Sequence, residues 1–173
     1  FVATVLEQKY KVLKTEGNFN NEIGLPLTIL KIRKEHEIAV LEMGINHFGE
    51  MDRLGAIAKP DMGIITNIGQ CHLEFLGSKE GILQAKTEML PHIKEDGKII
   101  LNGDDDLLRS VKPLQNCEII YYGMADDNDI YADEIEDAGL FGSVCMIHTK
   151  SGDFEAHIPL PGLHMIYNGL AAT

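Results

Sequence analysis

Two polar residues that could bind a divalent cation follow apolar runs of the kind that forms buried strands. Glu42 stands near the end of the run IAVLEM, and His72 stands just past the next run, MGIITNI. Ligands of parallel α/β sheets bind outside the carboxyl ends of the strands, so both side chains could face one crevice. A carboxylate in an apolar run is costly to desolvate unless it is paired or binds a cation. The alternatives are a glutamate that reaches solvent or a backbone amide, and a histidine that is on the surface or hydrogen-bonded in the core.

Lys86 lies on what the helical period predicts to be an apolar stripe. In KEGILQAKTEML it is one turn from Ile82 and one turn from Leu90. The structural interpretation is that its long stem carries the ammonium group out to water. The chemical interpretation is a lysine made reactive by its surroundings, including one that is covalently modified. The pattern alone leaves both open.

Polar residues suited to binding a ligand follow two of the predicted strands. Asn18, Asn20 and Asn21 form a loop beside a glycine, which is typical of a turn but would also make a hydrogen-bonding platform. Asn46 and His47, in MGINHFGE, raise the same question after the next strand. No Ser-His-Asp or Cys-His arrangement can be argued from spacing. These features together predict a ligand site that holds a divalent cation.

The charge and cysteine content exclude several classes of function. The 173 residues include 15 Lys and Arg against 27 Asp and Glu, for a net charge of −12. A phosphate-tracking groove needs clustered cations, so nucleic acid and anionic membranes are poor partners. The longest apolar runs are shorter than the roughly 20 residues that span a bilayer. Three cysteines without a Cys-x-x-Cys pair or zinc-like spacing indicate a reducing compartment.

Along the chain, short apolar runs typical of strands alternate with amphipathic segments typical of helices. This pattern predicts an α/β domain. The run 38–43 is nearly continuous and predicts a strand buried on both faces. From about residue 126 the pattern changes to short β-like pieces between turns, which predicts a small antiparallel annex over 126–160. Strands are predicted at 10–14, 38–43, 62–68, 98–101 and 118–122, and helices at 1–8, 49–58, 79–90, 104–110 and 163–173. The three aspartates 104–106 are most simply caps of the fourth helix.

Six sequence blocks, in order, resemble the ATP-dependent Mur ligases. The blocks are TEGNFNNEIGLPLT, VLEMGINHFGEM, ITNIGQCHLEFLGS, GILQAKTEML, LNGDDD and LPGLHMIYNGLAA. The resemblance covers residues 1–173 and implies the central ATPase domain, with a P-loop-NTPase-like, mostly parallel sheet flanked by helices. It also implies that the domain is truncated at both ends. The family places a G-x-x-x-x-G-K-[ST] loop just before the first helix, and this sequence does not contain one, so we expect the chain alone to be inactive.

The resemblance assigns roles to individual residues. Glu42 matches a magnesium-binding glutamate, and His72 matches the histidine beside that second metal site. Lys86 matches a lysine that carbon dioxide carbamoylates, and a carbamate offers the oxygen ligands that magnesium prefers. Asn168 matches an asparagine that contacts adenine, whereas Met165 stands where the family usually has another asparagine.

The same resemblance implies a substrate-binding role for the polar loops. Asn18 and Asn21 belong to the loop that approaches the muramoyl substrate, and Asn46 and His47 match a further family pattern. The forms GNFNNEIG and NHFGE favour the family member that joins D-alanyl-D-alanine to UDP-N-acetylmuramoyl-tripeptide.

The implied chemistry is amide-bond formation through an acyl phosphate, with ATP and Mg²⁺, by a monomer in the bacterial cytoplasm. A sister amide ligase, either another Mur ligase or a folylpolyglutamate synthase, is the nearest alternative. A non-catalytic domain of the same fold is the alternative from another class.

Overall fold

The computed structural model describes residues 1–70, 73–112 and 116–173. The first half contains α1 (Val2–Leu6), β1 (Val12–Lys14), α2 (Gly24–Ile29), β2 (Ile38–Val40), α3 (Glu50–Ala58), β3 (Met62–Ile65), α4 (Leu73–Leu76) and α5 (Lys79–Thr87). The second half contains β4 (Lys98–Asn102), α6 (Asp106–Arg109), β5 (Glu118–Gly123), β6 (Ile130–Asp137), β7 (Ser143–Thr149), β8 (Gly152–Ile158) and α7 (Leu163–Leu170). Short 3-10 segments lie at Leu90–His92 and Gly139–Phe141. No helix within the described ranges is both long and apolar enough to cross a bilayer.

The strands form a six-stranded sheet in the order β3-β4-β5-β6-β7-β8 and a separate pair, β1-β2. The strands from β3 to β6 run parallel, as do β1 and β2, whereas β6, β7 and β8 are antiparallel. This architecture confirms the predicted α/β class with a mostly parallel sheet. The antiparallel strands extend that sheet rather than standing apart from it, because Tyr122 pairs with Ile130 and Gly123 pairs with Tyr131.

Side chains alternate between the two faces of the six-stranded sheet and build a core on each. In β4, Ile99 and Leu101 are fully buried in the first core, beneath α3 and α5, while Ile100 packs against the second core, beneath α7. The second core contains Ile166 and Leu170 of α7. Helices therefore cover both faces of the sheet, as its apolar strands require.

The structure corrects the prediction that the run 38–43 is buried on both faces. The strand ends at Val40, and Ala39 is exposed while Ile38 and Val40 are half-buried. Among the described residues β2 pairs only with β1, so an apolar run that could suit a central strand belongs here to a two-stranded sheet. An apolar sequence shows that a strand can be buried, but it does not show which strands and helices pack against it.

Two helices also differ from the prediction: α2 was not predicted, and α5 ends earlier than predicted. The segment after the asparagine loop forms α2, whose Leu25 and Thr28 are buried, although no helix was predicted there. The helix predicted at 79–90 ends at Thr87 and continues into a 3-10 segment that contains Pro91. Proline lacks an amide hydrogen and clashes with the preceding turn, which explains the early end of α5.

Candidate functional site

Glu42 lies in the loop that follows β2, where it contacts the loop that follows β1. Its Oε1 accepts a hydrogen bond of 2.8 Å from the side-chain amide of Asn20, and its backbone N–H donates to Thr15 Oγ1 at 2.9 Å. The Gly44 N–H in turn donates to the Asn20 carbonyl at 2.8 Å. Glu42 is exposed, and its amide partner is uncharged. The negative charge of the carboxylate is therefore held in place without being neutralised by that partner, as a cation ligand requires.

The asparagines of the preceding loop do different things. Asn21 Oδ1 accepts hydrogen bonds from the N–H groups of Ile23 and Gly24, at 3.1 and 2.8 Å, and so holds the turn that leads into α2. Asn18 is exposed at the outer part of the loop. Asn20, which the resemblance did not place among the site residues, is the one that contacts Glu42.

Asn46 and His47 are fixed by Glu50 in the first turn of α3. Their backbone N–H groups donate to Glu50 Oε2 at 2.6 and 3.2 Å, and His47 Nδ1 lies 3.2 Å from Glu50 Oε1. The hydrogen bond from Asn46 is the largest effect on the pKa of Glu50; with the His47 contacts it lowers that pKa, against the opposing effect of burial. The His47 ring packs on Phe75 of α4, with centroids 4.6 Å apart. This loop is therefore anchored at both of its polar residues.

A second carboxylate ties the same loop to α5. The Gly49 N–H donates to both oxygens of Glu88, at 3.0 and 2.8 Å, and Glu88 caps the end of α5. Gly49 has φ of +81°, a left-handed conformation that a residue with a side chain would resist. Sequence analysis missed Glu88, because nothing in its spacing distinguishes it from a solvated glutamate.

Lys86 of α5 contacts the loop that follows β3. The lysine is half-buried, and its helical neighbours Ile82 and Ala85 are buried in the first core. Its Nζ donates a hydrogen bond of 3.0 Å to the carbonyl of Asn67, in the loop after β3. The stem thus follows the apolar stripe as predicted, while the head group reaches a strand end. His72, the predicted neighbour in the metal site, lies outside the described residues.

These contacts form one connected series. The Asn20–Glu42 hydrogen bond joins the loops after β1 and β2, the His47–Phe75 contact joins the second loop to α4, and Glu88 joins it to α5. These contacts therefore connect the loop that carries Glu42, Asn46 and His47 to α5, the helix that carries Lys86. The described residues contain no cluster of three or more His, Cys, Asp or Glu side chains that could hold a metal.

Asn168, the predicted adenine contact, lies on α7 beyond this series. Its side-chain nitrogen is 3.8 Å from the sulfur of Met165, so the methionine noted in the sequence is its direct neighbour. Of the three aspartates, Asp105 is the cap that was predicted, because Oδ1 accepts from the N–H groups of Leu107 and Leu108. Its Oδ2 also accepts from Ile68 N–H at 2.8 Å, which holds the loop after β3.

The whole chain, residues 1–173, matches the family model described as the Mur ligase middle domain. The chain belongs to the Mur ligase family. This Mur ligase domain is 42% identical to the UDP-N-acetylmuramoyl-tripeptide–D-alanyl-D-alanine ligase of Bacillus subtilis, over 99% of the chain and 36% of that protein. It is 34% identical to the Escherichia coli ligase of the same name, over 99% of the chain and 38% of that protein. It thus spans little more than a third of these curated relatives.

Solved structures agree with this assignment of the Mur ligase domain. A crystal structure of MurF from Acinetobacter baumannii superposes with a TM-score of 0.91 at 34% identity, covering 99% of this chain and 37% of that one. MurF from Thermotoga maritima in complex with ADP superposes with a TM-score of 0.86 at 30% identity, covering 99% and 40%. The family resemblance inferred from the six sequence blocks is confirmed.

Proposed function

We propose that this domain is the central part of an ATP-dependent ligase that joins D-alanyl-D-alanine to UDP-N-acetylmuramoyl-tripeptide, for peptidoglycan precursor synthesis in the bacterial cytoplasm. The observation that carries the proposal is the 42% identity, over 99% of the chain, with the Bacillus ligase of that name. Because the chain spans 36% of that ligase, the proposed activity belongs to the full-length protein, which we expect to act as a monomer.

The residues present fit a site for magnesium and a nucleotide. Magnesium prefers oxygen ligands, and proteins usually hold it with one or two carboxylates together with phosphates and water. Glu42 offers an exposed carboxylate whose hydrogen-bond partner Asn20 is neutral. Glu42, His72 and a modified Lys86 would hold the ion, and Asn168 would contact the adenine of ATP.

Lys86 would join these ligands as a carbamate. An ammonium group repels a cation, whereas a carbamate offers oxygens at the end of a long stem. In its formation the neutral amine of Lys86 makes an N–C bond to carbon dioxide, and one proton leaves to solvent. The position of Nζ at the loop after β3 supports this role, because the carboxyl ends of parallel strands are where ligands of such sheets bind.

The reaction depends on positioning and charge stabilisation rather than on a protein nucleophile. ATP would transfer its γ-phosphate to the carboxylate of the UDP-linked substrate and leave as ADP. The amine of D-alanyl-D-alanine would then attack the acyl phosphate, form the amide, lose a proton and displace phosphate. Magnesium, when bound, supplies charge neutralisation at the γ-phosphate and the carboxylate. The loops that carry Asn18, Asn21, Asn46 and His47 would bind and orient the muramoyl substrate. Their anchoring through Asn20 and Glu50 supports that role.

The test is phosphate release by the full-length protein with ATP, magnesium, UDP-N-acetylmuramoyl-tripeptide and D-alanyl-D-alanine. We expect release only when both substrates are present, together with a product of the summed mass less water. Release with a different amino acid or with a folate acceptor would identify a sister ligase instead. A folded full-length protein that releases no phosphate with any of these substrates would support the non-catalytic alternative.

A further inference from the structure

Asp104, the first of the three aspartates, is not a helix cap but the centre of a hydrogen-bond network. It follows β4, and its Oδ2 accepts from the Met124 N–H at 2.6 Å and from the Tyr167 hydroxyl at 2.7 Å. Its Oδ1 accepts from the Asn128 side-chain amide at 3.0 Å and from the Ala125 N–H at 3.4 Å. One carboxylate therefore joins the end of β4, the turn between β5 and β6, and α7.

Two glycines lie close against this network. A Cβ on Gly123 would lie 2.4 Å from Asp104 Oδ1, and a Cβ on Gly103 would lie 1.9 Å from Asn128 Oδ1. Both approaches are closer than real Cβ atoms show, so Asp104 or Asn128 would have to move if either glycine carried a side chain. The network is thus built into the strand ends and is not a chance surface contact.

The protonation states suit a hydrogen bond from Tyr167 to an ionised Asp104. Burial acts to raise the pKa of Asp104, but the hydrogen bonds from Met124, Tyr167 and Asn128 outweigh it and leave that pKa below its ordinary value. Burial, together with the hydrogen bond to Asp104, raises the pKa of Tyr167 to about 12. At neutral pH the Tyr167 hydroxyl therefore stays protonated and donates a hydrogen bond to a charged acceptor, which makes a strong hydrogen bond.

The hydrogen bond adds a constraint on α7 that apolar packing alone does not give. Ile166 and Leu170 bury one side of α7 in the second core, and such contacts fix the distance of a helix more strictly than its rotation or axial position. The first turn of α7 follows Gly162, which provides no side-chain cap. The hydrogen bond from Tyr167, which is adjacent to Asn168, is directional and therefore restricts the rotation and axial position of α7.

We propose that Asp104 and Tyr167 are positioning residues of the nucleotide site, which hold α7 against the carboxyl edge of the six-stranded sheet and so place Asn168 for the adenine. This inference rests on the proposed function, in which Asn168 contacts adenine. Neither residue touches the reacting atoms. Their contribution therefore concerns nucleotide affinity and not the chemical step.

The test compares Tyr167→Phe with the unchanged full-length protein. The variant keeps the ring and loses only the hydroxyl. We expect the KM for ATP and the Kd for ADP, measured by calorimetry, to rise about tenfold, as the loss of one hydrogen bond to a charged group predicts. The kcat and the KM for the UDP-linked substrate should stay within about twofold.

Tyr121→Phe is the matched control, because its hydroxyl bonds the Arg109 carbonyl at 3.4 Å and does not contact α7. An unchanged nucleotide affinity in Tyr167→Phe, or an equal loss in Tyr121→Phe, would overturn the proposal. The ADP measurement separates this proposal from the ligase assignment. If the unchanged protein binds ADP but ligates nothing, the ligase assignment fails while the Kd comparison still decides the role of Tyr167. If it binds no nucleotide, both proposals are wrong.

Discussion

At the scale of single residues, the side chains of Glu42 and Lys86 are each held by a hydrogen bond to an uncharged partner. Glu42 is exposed and bonded by a neutral amide, so its charge is oriented but not cancelled by that partner. Lys86 has a half-buried stem, and its head group donates to the carbonyl of Asn67. Each head group lies in or beside a loop that follows a strand. The residue scale therefore gives the most direct test of the proposed metal site.

Replacing Lys86 by alanine in the full-length protein should lower ligase activity about 100-fold or more, the scale seen when one group that stabilises transition-state charge is removed. A small carboxylic acid should restore part of the activity, because it can return the missing oxygens. The readout is phosphate release with and without the acid. Lys79→Ala, at the other end of α5, is the control and should retain activity. Full activity of Lys86→Ala would show that the lysine is only structural.

Gly103 tests the packing around the Asp104 network. An added methyl would lie 1.9 Å from Asn128 Oδ1 and 2.7 Å from Arg109, so the buried Asn128 would have to give up its hydrogen bonds. We expect Gly103→Ala to lower the free energy of unfolding by about 1–3 kcal/mol. Gly69→Ala is the matched control, since none of the residues that the structure describes has an atom within 4 Å of its added carbon. Urea unfolding of both variants measures the difference, and equal midpoints would contradict the argument.

At the scale of elements, the antiparallel strands β6, β7 and β8 are linked by one histidine. His148 of β7 lies with Nε2 2.9 Å from Asp133 of β6 and with Nδ1 3.2 Å from Asp153 of β8. Its ring also stacks on Tyr131 at 4.5 Å. A neutral imidazole has one N–H, whereas two carboxylates are best served by the two N–H groups of an imidazolium. The three strands therefore favour the charged form of His148.

This arrangement predicts how stability depends on pH. The hydrogen bond to Asp133 is the largest effect on the pKa of His148. Together with the charge of that carboxylate and the hydrogen bond and charge of Asp153, it raises this pKa above its ordinary 6.5, against the opposing effect of burial. A raised pKa in the folded state means that the imidazolium stabilises the fold fully below pH 6.5 and that this contribution is lost as the pH rises through the folded-state pKa. The stability advantage of the unchanged domain over His148→Gln should therefore be largest at pH 5.5–6 and decline at alkaline pH.

Thermal or urea unfolding of the two proteins across this pH range gives the measurement. His164→Gln, at an exposed position on α7, serves as the control and should show no such decline. A difference between the unchanged domain and His148→Gln that stays constant with pH would show that His148 contributes by packing alone.

At the scale of the whole molecule, the six-stranded sheet separates two cores. The first core supports the loop that carries Glu42 and the helix α5 that carries Lys86, and the second core supports α7 with Asn168. β4 contributes to both, since Leu101 faces the first core and Ile100 packs against the second. We therefore expect damage to either core to destabilise the domain as one unit.

Leu101→Ala and Leu170→Ala test this expectation, because both side chains are 0% exposed and lie in different cores. Each should lower the free energy of unfolding by about 2–5 kcal/mol, through lost burial and the cavity left behind. Leu30→Ala, at a position that is 73% exposed, should change it by no more than about 0.5 kcal/mol. Fluorescence and circular dichroism should report the same transition for each variant, and two separate transitions would show that the cores unfold independently.

The sequence alone determined the α/β class, the antiparallel strands after residue 126 and the Mur ligase family. These features follow from local periodicity and from short blocks of neighbouring residues, which a sequence displays directly. It also indicated Glu42, Lys86 and Asn168 as candidate site residues, and their roles stay predictions. It did not reveal that β2 is only half-buried or that Asp104 differs in role from Asp105.

Only the tertiary structure decided which polar groups meet. Asn20 and Glu42 are 22 residues apart in the chain, Gly49 and Glu88 are 39 apart, and Asp104 and Tyr167 are 63 apart. No local pattern relates such residues, because each pair is brought together by the order of strands in the sheet and by the packing of helices on its two faces. The sequence supplies the donors and acceptors, and the fold selects their partners.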